Sequence, residues 1–207
     1  MPGKVVALIA PTRSGKSFLA ERLSRHYKAP ALFEVEPQGI PKEVSDGLAS
    51  GTATEPWLYF RNRCVSMQHE ARELTGKAEL VFVDSTWVSC PPYIGYYSLS
   101  DTQRNILESV AQLDRALLPW PDLLVYLKTS DTESERLWRS SNQEFEQGES
   151  YFRDRVLPLK RAFDRYLSTL SLQCPILAID RTGLDFERAE DLSIVTDEID
   201  AVLSMKN

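Results

Sequence analysis

The sequence predicts an α/β protein in which a five-stranded parallel sheet lies between two layers of helices. Short apolar runs alternate with longer amphipathic segments, which is the pattern of parallel strands connected by helices. The first run, Val5–Ala10, is apolar at every position, as expected for a strand buried on both faces. With 207 residues, 43% of them hydrophobic and 26% charged, the chain fits one globular domain over residues 1–207.

The other elements follow along the chain. The predicted strands are Val5–Ala10, Ala31–Val35, Leu80–Val83, Leu123–Leu127 and Ile176–Ile179. The predicted helices are Ser14–Tyr27, Glu55–Thr75, Ser100–Leu118, Asp131–Arg139, Tyr151–Leu172 and Glu187–Leu203. Ser100-Asp101 is typical of a helix N-cap, and Pro119 ends the same helix. Two segments rich in turn-forming residues, Pro37–Thr54 and Asp84–Leu99, are expected to be irregular.

The charge balance and the cysteines argue against several classes of protein. Lys and Arg total 24 against 30 Asp and Glu, so the net charge is -6, which disfavours a general nucleic-acid binder. We expect a cytoplasmic protein without a membrane segment, because no apolar run approaches about 20 residues and the first is too short for a signal peptide. Three dispersed cysteines predict reduced thiols, and His26 and His69 are expected at the surface.

A phosphate-binding loop connects the first strand to its helix. Residues 10–17, APTRSGKS, match the pattern Gly-x-x-x-x-Gly-Lys-Ser/Thr except that Ala10 replaces the first Gly. Backbone N–H groups at such a turn attract phosphate, Lys16 adds a positive charge, and the Ser17 hydroxyl is a ligand for Mg²⁺. Gly15 allows close approach of the backbone, Ser14 lies within the loop, and Arg13 either adds charge or faces solvent. The motif predicts a P-loop NTPase fold that binds nucleotide phosphates.

Carboxylates follow two predicted strands at the edge of the sheet where Lys16 begins its helix. The chain has no Asn-Lys-x-Asp sequence for guanine, so we favour a small-molecule kinase over a GTPase. Such a kinase needs a group that positions or deprotonates the acceptor hydroxyl. Glu36 is our preferred candidate because it lies farther out than Glu34, which points to the same side; a role in capping a turn is the alternative. For Asp84 we favour binding of magnesium through water over substrate contact or capping of the following turn.

These residues make the chain similar to the deoxynucleoside kinase family over most of its length. The matching segments are Glu36-Pro37, Ser98–Asp101, Pro121–Leu127, Glu135–Leu137 and Leu184–Phe186. Each segment is weakly specific, and the resemblance rests on their order and spacing.

The resemblance implies roles for particular residues. Glu36 would be the general base for a sugar 5′-hydroxyl. Arg136 and Arg139 would belong to a lid, over about residues 136–150, that covers the phosphates. The stretch 180–186, with Asp185, would lie near the adenine of ATP. The resemblance also implies a homodimer, with the long helices around Glu55–Thr75 and Gln103–Leu118 as a two-helix dimer surface.

The chain departs from the family at the acceptor site. Asp84-Ser85-Thr86 replaces the family's Asp/Glu-Arg-Ser, so an arginine that holds the 5′ region is absent. Trp57 or Leu58 stands where the family has a Gln that pairs with the nucleobase. Ser140 and Asn142 fall at positions of lid arginines. Arg61 and Arg63 are candidates to replace lost contacts, although a solvated helix face is the more ordinary role.

Aromatic residues are concentrated in the two segments expected to frame the acceptor. We predict that Trp57 and Tyr93, together with Asp84, contact the substrate, and that about half of the aromatics serve packing alone. The aromatic residues concerned are Trp57, Tyr59, Phe60, Trp87, Tyr93, Tyr96 and Tyr97.

Three functions are compatible with these observations. The leading one is a Mg²⁺- and ATP-dependent phosphotransferase that acts on a hydroxyl of a small nucleoside-like molecule. A second keeps the chemistry and changes the acceptor to a nucleoside monophosphate or a hydroxymethylated base in DNA. A third is a non-catalytic regulator that binds nucleotide.

Overall fold

Five parallel strands form the centre of the fold, with the order β2-β3-β1-β4-β5. The structure is a computed structural model that describes residues 2–35, 39–50, 54–140 and 149–204. The strands are β1 Lys4–Ile9, β2 Ala31–Leu32, β3 Leu80–Val83, β4 Leu123–Lys128 and β5 Ile176–Asp180. Because all five run in one direction, their carboxyl ends meet along one edge of the sheet.

Helices cover both faces of the sheet. They are α1 Lys16–Tyr27, α2 Lys42–Ser50, α3 Thr54–Leu74, α4 Asp101–Leu117, α5 Asp131–Arg139, α6 Glu149–Tyr151, α7 Leu157–Thr169 and α8 Ala189–Ser204. Short 3₁₀ turns, Trp87–Ser89 and Pro91–Gly95, occupy the segment between β3 and α4 that was expected to be irregular. None of the helices in the described ranges is long and apolar enough to cross a membrane.

Alternate residues of β1 enter two separate hydrophobic cores. Val5, Ala7 and Ile9 pack with residues of α3, α4 and α7, whereas Val6 and Leu8 pack on the opposite face with residues of α1 and α8. All five of these side chains are fully buried, which explains why the first strand has no polar position. The predicted three-layer αβα architecture with a parallel sheet is confirmed.

The start of α4 also agrees with its sequence signal. The Ser100 side chain accepts a hydrogen bond from the backbone of Gln103, and the Gln103 side chain accepts one from the Ser100 backbone. This reciprocal capping box satisfies two N–H groups that the helix itself leaves free. His26 and His69 are exposed, as predicted.

Three elements differ from the sequence prediction. Strand β2 covers only Ala31–Leu32 instead of the predicted Ala31–Val35. Half of the expected Pro37–Thr54 loop is helix α2, which buries Val44 and packs against α3. The expected helix Tyr151–Leu172 is interrupted by a π-helical turn, Phe152–Val156. Pro158 explains the interruption, because its ring has no N–H and would clash with the carbonyl group four residues earlier in a regular helix.

Candidate active site

The phosphate-binding loop connects β1 to α1 in a strained conformation. Gly15 is the N-cap of α1 with a φ of 83°, and Arg13 adopts a φ of 66°. The left-handed region accommodates glycine freely and is costly for other residues. Ala10 has no positive φ and is buried, so its replacement of glycine introduces no backbone strain. Arg13 is therefore the residue of this loop whose backbone conformation is energetically unfavourable.

Asp84, which directly follows β3, connects the phosphate-binding loop to the segment after β2. Its Oδ2 accepts a hydrogen bond of 2.6 Å from the Ser17 hydroxyl, and its Oδ1 accepts one of 2.7 Å from the backbone N–H of Glu34. Asp84 is only 2% exposed, so both contacts form in a protected environment. The structure thus brings together Ser17 and Asp84, the two residues that the sequence predicts as magnesium ligands.

This pair has the chemistry that magnesium requires. Mg²⁺ is usually held by one or two carboxylates and substrate phosphates, with water completing its shell. A carboxylate and a hydroxyl lie in contact beside Lys16, so the residues present fit such an ion. The described part of the chain contains no group of three or more His, Cys, Asp or Glu residues able to hold a metal by themselves.

Glu34 lies against the lysine of the loop. Its Oε2 is 3.5 Å from the Lys16 Nζ, and its Oε1 is 3.5 Å from the Cys64 Sγ. Burial disfavours the charged ammonium, but the carboxylates of Glu34 and Asp84 outweigh it and raise the pKa of Lys16. Lys16 is therefore held as a cation before any phosphate arrives. Glu36, the preferred base in the sequence, lies outside the described residues.

Two cavities meet at this point. The smaller, of about 240 Å³, follows the loop from Pro11 to Phe18. The larger, of about 560 Å³, extends away from the loop between α2, α3 and the segment after β3. The two cavities share Thr12, Arg13, Ser17, Glu34 and Tyr93. A phosphate in the first cavity would consequently face a molecule in the second.

Aromatic side chains form much of the wall of the larger cavity. The aromatic residues that line it are Trp57, Phe60, Tyr93, Tyr96, Tyr97 and Tyr151. The Trp57 indole donates a hydrogen bond of 2.9 Å to the Cys90 carbonyl, which fixes its orientation. Burial and the charge of Glu34 raise the pKa of Tyr93, so its phenol stays protonated. Trp57 is only 2% exposed and belongs to the same hydrophobic core as Trp87, which packs edge-on against Trp120.

The arginines expected in the lid lie on α5 and form ion pairs within that helix. Arg136 pairs with Glu133 at 2.7 Å, and Arg139 pairs with Glu135 at 2.7 Å. Their side chains are 59% and 51% exposed, respectively. Residues 141–148 of the expected lid, including Asn142, lie outside the described residues.

The loop after β5 contains the predicted nucleotide-binding residue Asp185. Its carboxylate accepts a hydrogen bond of 3.0 Å from the Glu187 N–H, and its own N–H donates to Asp191 at 2.8 Å. Asp185 therefore stabilises the turn into α8. The same loop contains Arg181, whose guanidinium lies 4.3 Å from the centroid of the Phe186 ring.

Solved structures with this architecture identify the fold. Neither a protein-family model nor a curated protein matches the sequence. The deoxyadenosine kinase from M. mycoides with bound dATP aligns at a TM-score of 0.75 and 15% identity, covering 95% of this chain and 99% of that chain. The same enzyme with the products dCMP and a flexible dCDP aligns at a TM-score of 0.69 and 13% identity, covering 96% and 100%. The chain has a deoxynucleoside kinase fold.

Within this deoxynucleoside kinase fold, two arginines of α3, Arg61 and Arg63, form contacts within the protein itself. The Arg61 Nε donates a hydrogen bond of 2.8 Å to Asp114, which is buried. The Arg63 guanidinium donates to the Phe33 carbonyl at 3.0 Å. Arg61 therefore braces α3 against α4, and Arg63 braces it against the segment after β2. Neither role is the solvated helix face favoured in the sequence.

Several functional candidates escaped the sequence analysis. Helix α2 supplies Ser45 and Leu48 to the larger cavity, although its segment was expected to be a loop. Arg181 directly follows a strand at the same edge as Asp84, so the strand-end rule applied to the carboxylates would have found it. Contact between Glu34 and Lys16 has no local signal, because it depends on β3 pairing with both β1 and β2 in the sheet.

Proposed function

We propose that this protein is an ATP-dependent phosphotransferase that moves the γ-phosphate to a hydroxyl of a nucleoside-like acceptor. The observation that carries the proposal is the junction of the two cavities at Ser17 and Glu34, where Glu34 contacts Lys16. Phosphoryl transfer requires a cationic donor site, an adjacent acceptor site and a carboxylate between them. The deoxyadenosine kinases of the same fold, described with dATP, dCTP or dCMP, support a nucleotide as ligand.

At the donor end, the loop residues would bind the phosphates of ATP. The backbone from Arg13 to Ser17 would direct N–H groups at the phosphate oxygens, and Lys16 would neutralise the outer phosphates. Ser17 and Asp84 would hold Mg²⁺, which supplies further neutralisation of phosphate charge when bound.

At the junction, a carboxylate would accept the proton of the acceptor hydroxyl. The hydroxyl oxygen bonds to the γ-phosphorus while the bond from that phosphorus to the β–γ bridging oxygen breaks, and ADP leaves with the electron pair. Glu34 is favoured by its contact with Lys16 and its position on both cavities. The sequence-based preference for Glu36 stays a prediction, and the two residues are separated experimentally below.

The lining of the larger cavity favours an uncharged, flat acceptor. Its volume of about 560 Å³ lies within the range of about 300–1,000 Å³ for small-molecule sites. Arg13 and Glu34 are the charged members of its described lining, so a monophosphate acceptor would find a single cation there. Partly exposed aromatic faces such as that of Phe60 can stack on any nucleobase without sequence preference.

A phosphotransfer assay with γ-labelled ATP tests the proposal. The acceptors are a panel of nucleosides, their monophosphates and oligonucleotides with hydroxymethylated bases, and Lys16→Met protein provides the background. We expect label on nucleosides. Label only on the oligonucleotide would show that the acceptor is a hydroxymethylated base in DNA. ATP binding with no labelled product from any acceptor would instead support the regulator.

We also propose that the protein forms a homodimer through α4. Ile106, Leu113 and Leu117 are 57%, 58% and 77% exposed, and their spacing places them on one face of that helix. Such an apolar stripe at the surface is typical of an interaction site. Leu117→Glu should therefore convert a dimer to a monomer in size-exclusion chromatography with light scattering. Ile194→Glu, on exposed apolar surface of α8, is the matched control and should stay dimeric.

A further inference from the structure

Arg181 is a buried cation that the described protein leaves unpaired. It is 7% exposed, the same value as Lys160. Lys160 lies 3.0 Å from an Asp131 carboxylate oxygen and 3.4 Å from one of Asp164. The Nε and Nη1 of Arg181 are buried without any hydrogen-bond partner in the described structure. Two cations of equal burial thus differ completely in how they are compensated.

The position of Arg181 is set by three segments. Its backbone N–H donates to the Lys128 carbonyl at 2.7 Å, which extends the pairing of β5 with β4. Phe186 covers the guanidinium, with the ring centroid 4.3 Å away. A Cβ added to Gly15 would lie 3.8 Å from the Arg181 Nε, so the guanidinium is next to the phosphate-binding loop.

The electrostatic surroundings of Arg181 do not replace a partner. Burial lowers the pKa of Arg181; Glu133 raises it, Arg136 lowers it again, and Asp185 is a weaker opposing influence. Glu133 is already engaged by two hydrogen bonds from Arg136. A guanidinium stays protonated in proteins even where burial lowers its pKa, so Arg181 keeps its charge.

A second unpartnered polar group lies beside the same glycine. Ser14, which precedes Gly15 in the loop, is 4% exposed, and its Oγ has no hydrogen-bond partner. Ser14 and Gly15 both line the smaller cavity. Unsatisfied buried donors are costly and uncommon, so two on either side of one loop residue point to a missing acceptor.

The acceptor must supply oxygen atoms. Phe186 already covers the guanidinium, and a purine stacked on it would leave the Nε and Nη1 hydrogens unsatisfied. Phosphate oxygens would satisfy those donors and form charge-assisted hydrogen bonds, the strongest kind available to an arginine. A phosphate also compensates the buried charge, which a neutral base cannot do.

We propose that Arg181 binds the phosphate chain of the donor nucleotide, from the β5 side of the loop. The inference rests on the proposed function only in naming that nucleotide as ATP. Arg181 supplies a cation that is in place without rearrangement of the lid, whereas Arg136 would have to leave Glu133. The folded protein carries the cost of the unpaired guanidinium until the nucleotide binds.

Substitution by methionine tests this cost. Arg181→Met removes the charge and keeps an apolar chain that can lie on Phe186, so the nucleotide-free melting temperature should rise by about 2–4 °C. Lys160→Met removes a cation of equal burial that has carboxylate partners, and its melting temperature should fall. A fall for Arg181→Met with unchanged nucleotide affinity would assign Arg181 a purely structural role and overturn the proposal.

Calorimetric titration separates the phosphates from the base. The probes are ADP, inorganic tripolyphosphate and adenosine, each added to wild type, Arg181→Met, Arg181→Lys and Lys160→Met. We expect Arg181→Met to bind ADP and tripolyphosphate roughly 10- to 100-fold more weakly. Arg181→Lys should be intermediate, Lys160→Met should equal wild type, and any affinity for adenosine should not change.

Other outcomes distinguish the role of Arg181 from the proposed phosphotransferase function. Weaker binding of ADP and adenosine with unchanged binding of tripolyphosphate would mean that Arg181 contacts the base, and would overturn the inference. Wild-type protein that binds neither ADP nor tripolyphosphate would overturn both proposals. Loss of ADP affinity in Arg181→Met, in a protein that phosphorylates no acceptor, would support this inference and refute the proposed function alone.

Discussion

The two sides of the phosphate-binding loop differ in how their charges are compensated. On the β2–β3 side, Asp84 accepts hydrogen bonds from Ser17 and Glu34, and Glu34 contacts Lys16. On the β5 side, Arg181 is buried beside Gly15 with no hydrogen-bond partner for Nε or Nη1. The charged groups on the first side are paired with one another by the protein, whereas under our proposal a bound phosphate would supply the partners on the second side. The proposed magnesium and lysine contacts are therefore held in place by the protein, and Arg181 would be compensated by the nucleotide itself.

The largest expected effect concerns the carboxylate at the junction of the cavities. Glu34→Gln keeps the size of the side chain and removes the base, so kcat should fall by about 10²- to 10⁴-fold. Glu36→Gln, two residues along, should change kcat only a few-fold. Steady-state kinetics with the acceptor found in the panel measure both. The reverse result would restore Glu36 as the base and leave Glu34 as a partner of Lys16.

Exchange of Arg136 tests whether the β5 side uses a second cation. Arg136→Gln should lower kcat about 10- to 100-fold, if a charge-assisted bond to the transferring phosphate is lost. Arg139→Gln should have a smaller effect, because Arg136 is close enough to Arg181 to lower the pKa of that guanidinium, whereas Arg139 lies three residues farther along α5. Equal losses would instead support the lid role that the family resemblance implies for both residues.

Removal of the aromatic wall should act on acceptor binding rather than on chemistry. Phe60 lines the larger cavity and is partly exposed. Phe60→Leu should raise the KM of the acceptor about 10-fold while kcat and the KM of ATP stay within a few-fold, because a stacked base contributes about 1–3 kcal/mol. Phe60→Tyr retains an aromatic face and should lie between wild type and Phe60→Leu. An unchanged acceptor KM in both variants would assign Phe60 to packing alone.

The smallest expected effect is a change in the free energy of unfolding on substitution of Asp84, which can be compared directly with the effect of substituting Arg181. Asp84→Asn weakens the hydrogen bonds from Ser17 and Glu34, so the free energy of unfolding without ligand should fall by about 1 kcal/mol. Arg181→Met should change the same quantity in the opposite direction. Urea denaturation of both proteins gives the two signs. Equal signs would show that the two sides of the loop are not differently compensated.

Much of the fold was accessible to sequence analysis, for physical reasons that differ between elements. Strands β1, β3 and β4 are recognisable because both of their faces are buried, and α4 because its capping box is a contact between residues three apart. Helix α2 was missed because turn-forming residues such as Gly47 outweighed the weak apolar periodicity around Val44. Helix α7 was predicted too long because periodicity alone does not register the effect of Pro158 on the preceding turn.

The phosphate-binding loop and the succession of strands and helices along the chain can be predicted from the sequence, since both depend on neighbours within a few residues. Which residues meet at the loop depends on how the strands pack in the sheet. Glu34 is 18 residues from Lys16 and Asp84 is 67 from Ser17, and only the order of β2, β3 and β1 brings them together. Arg181 reaches Gly15 because β5 ends at the same edge of the sheet. Whether a charged side chain finds a partner within the protein depends on that packing, and it cannot be predicted from the neighbouring residues in the sequence.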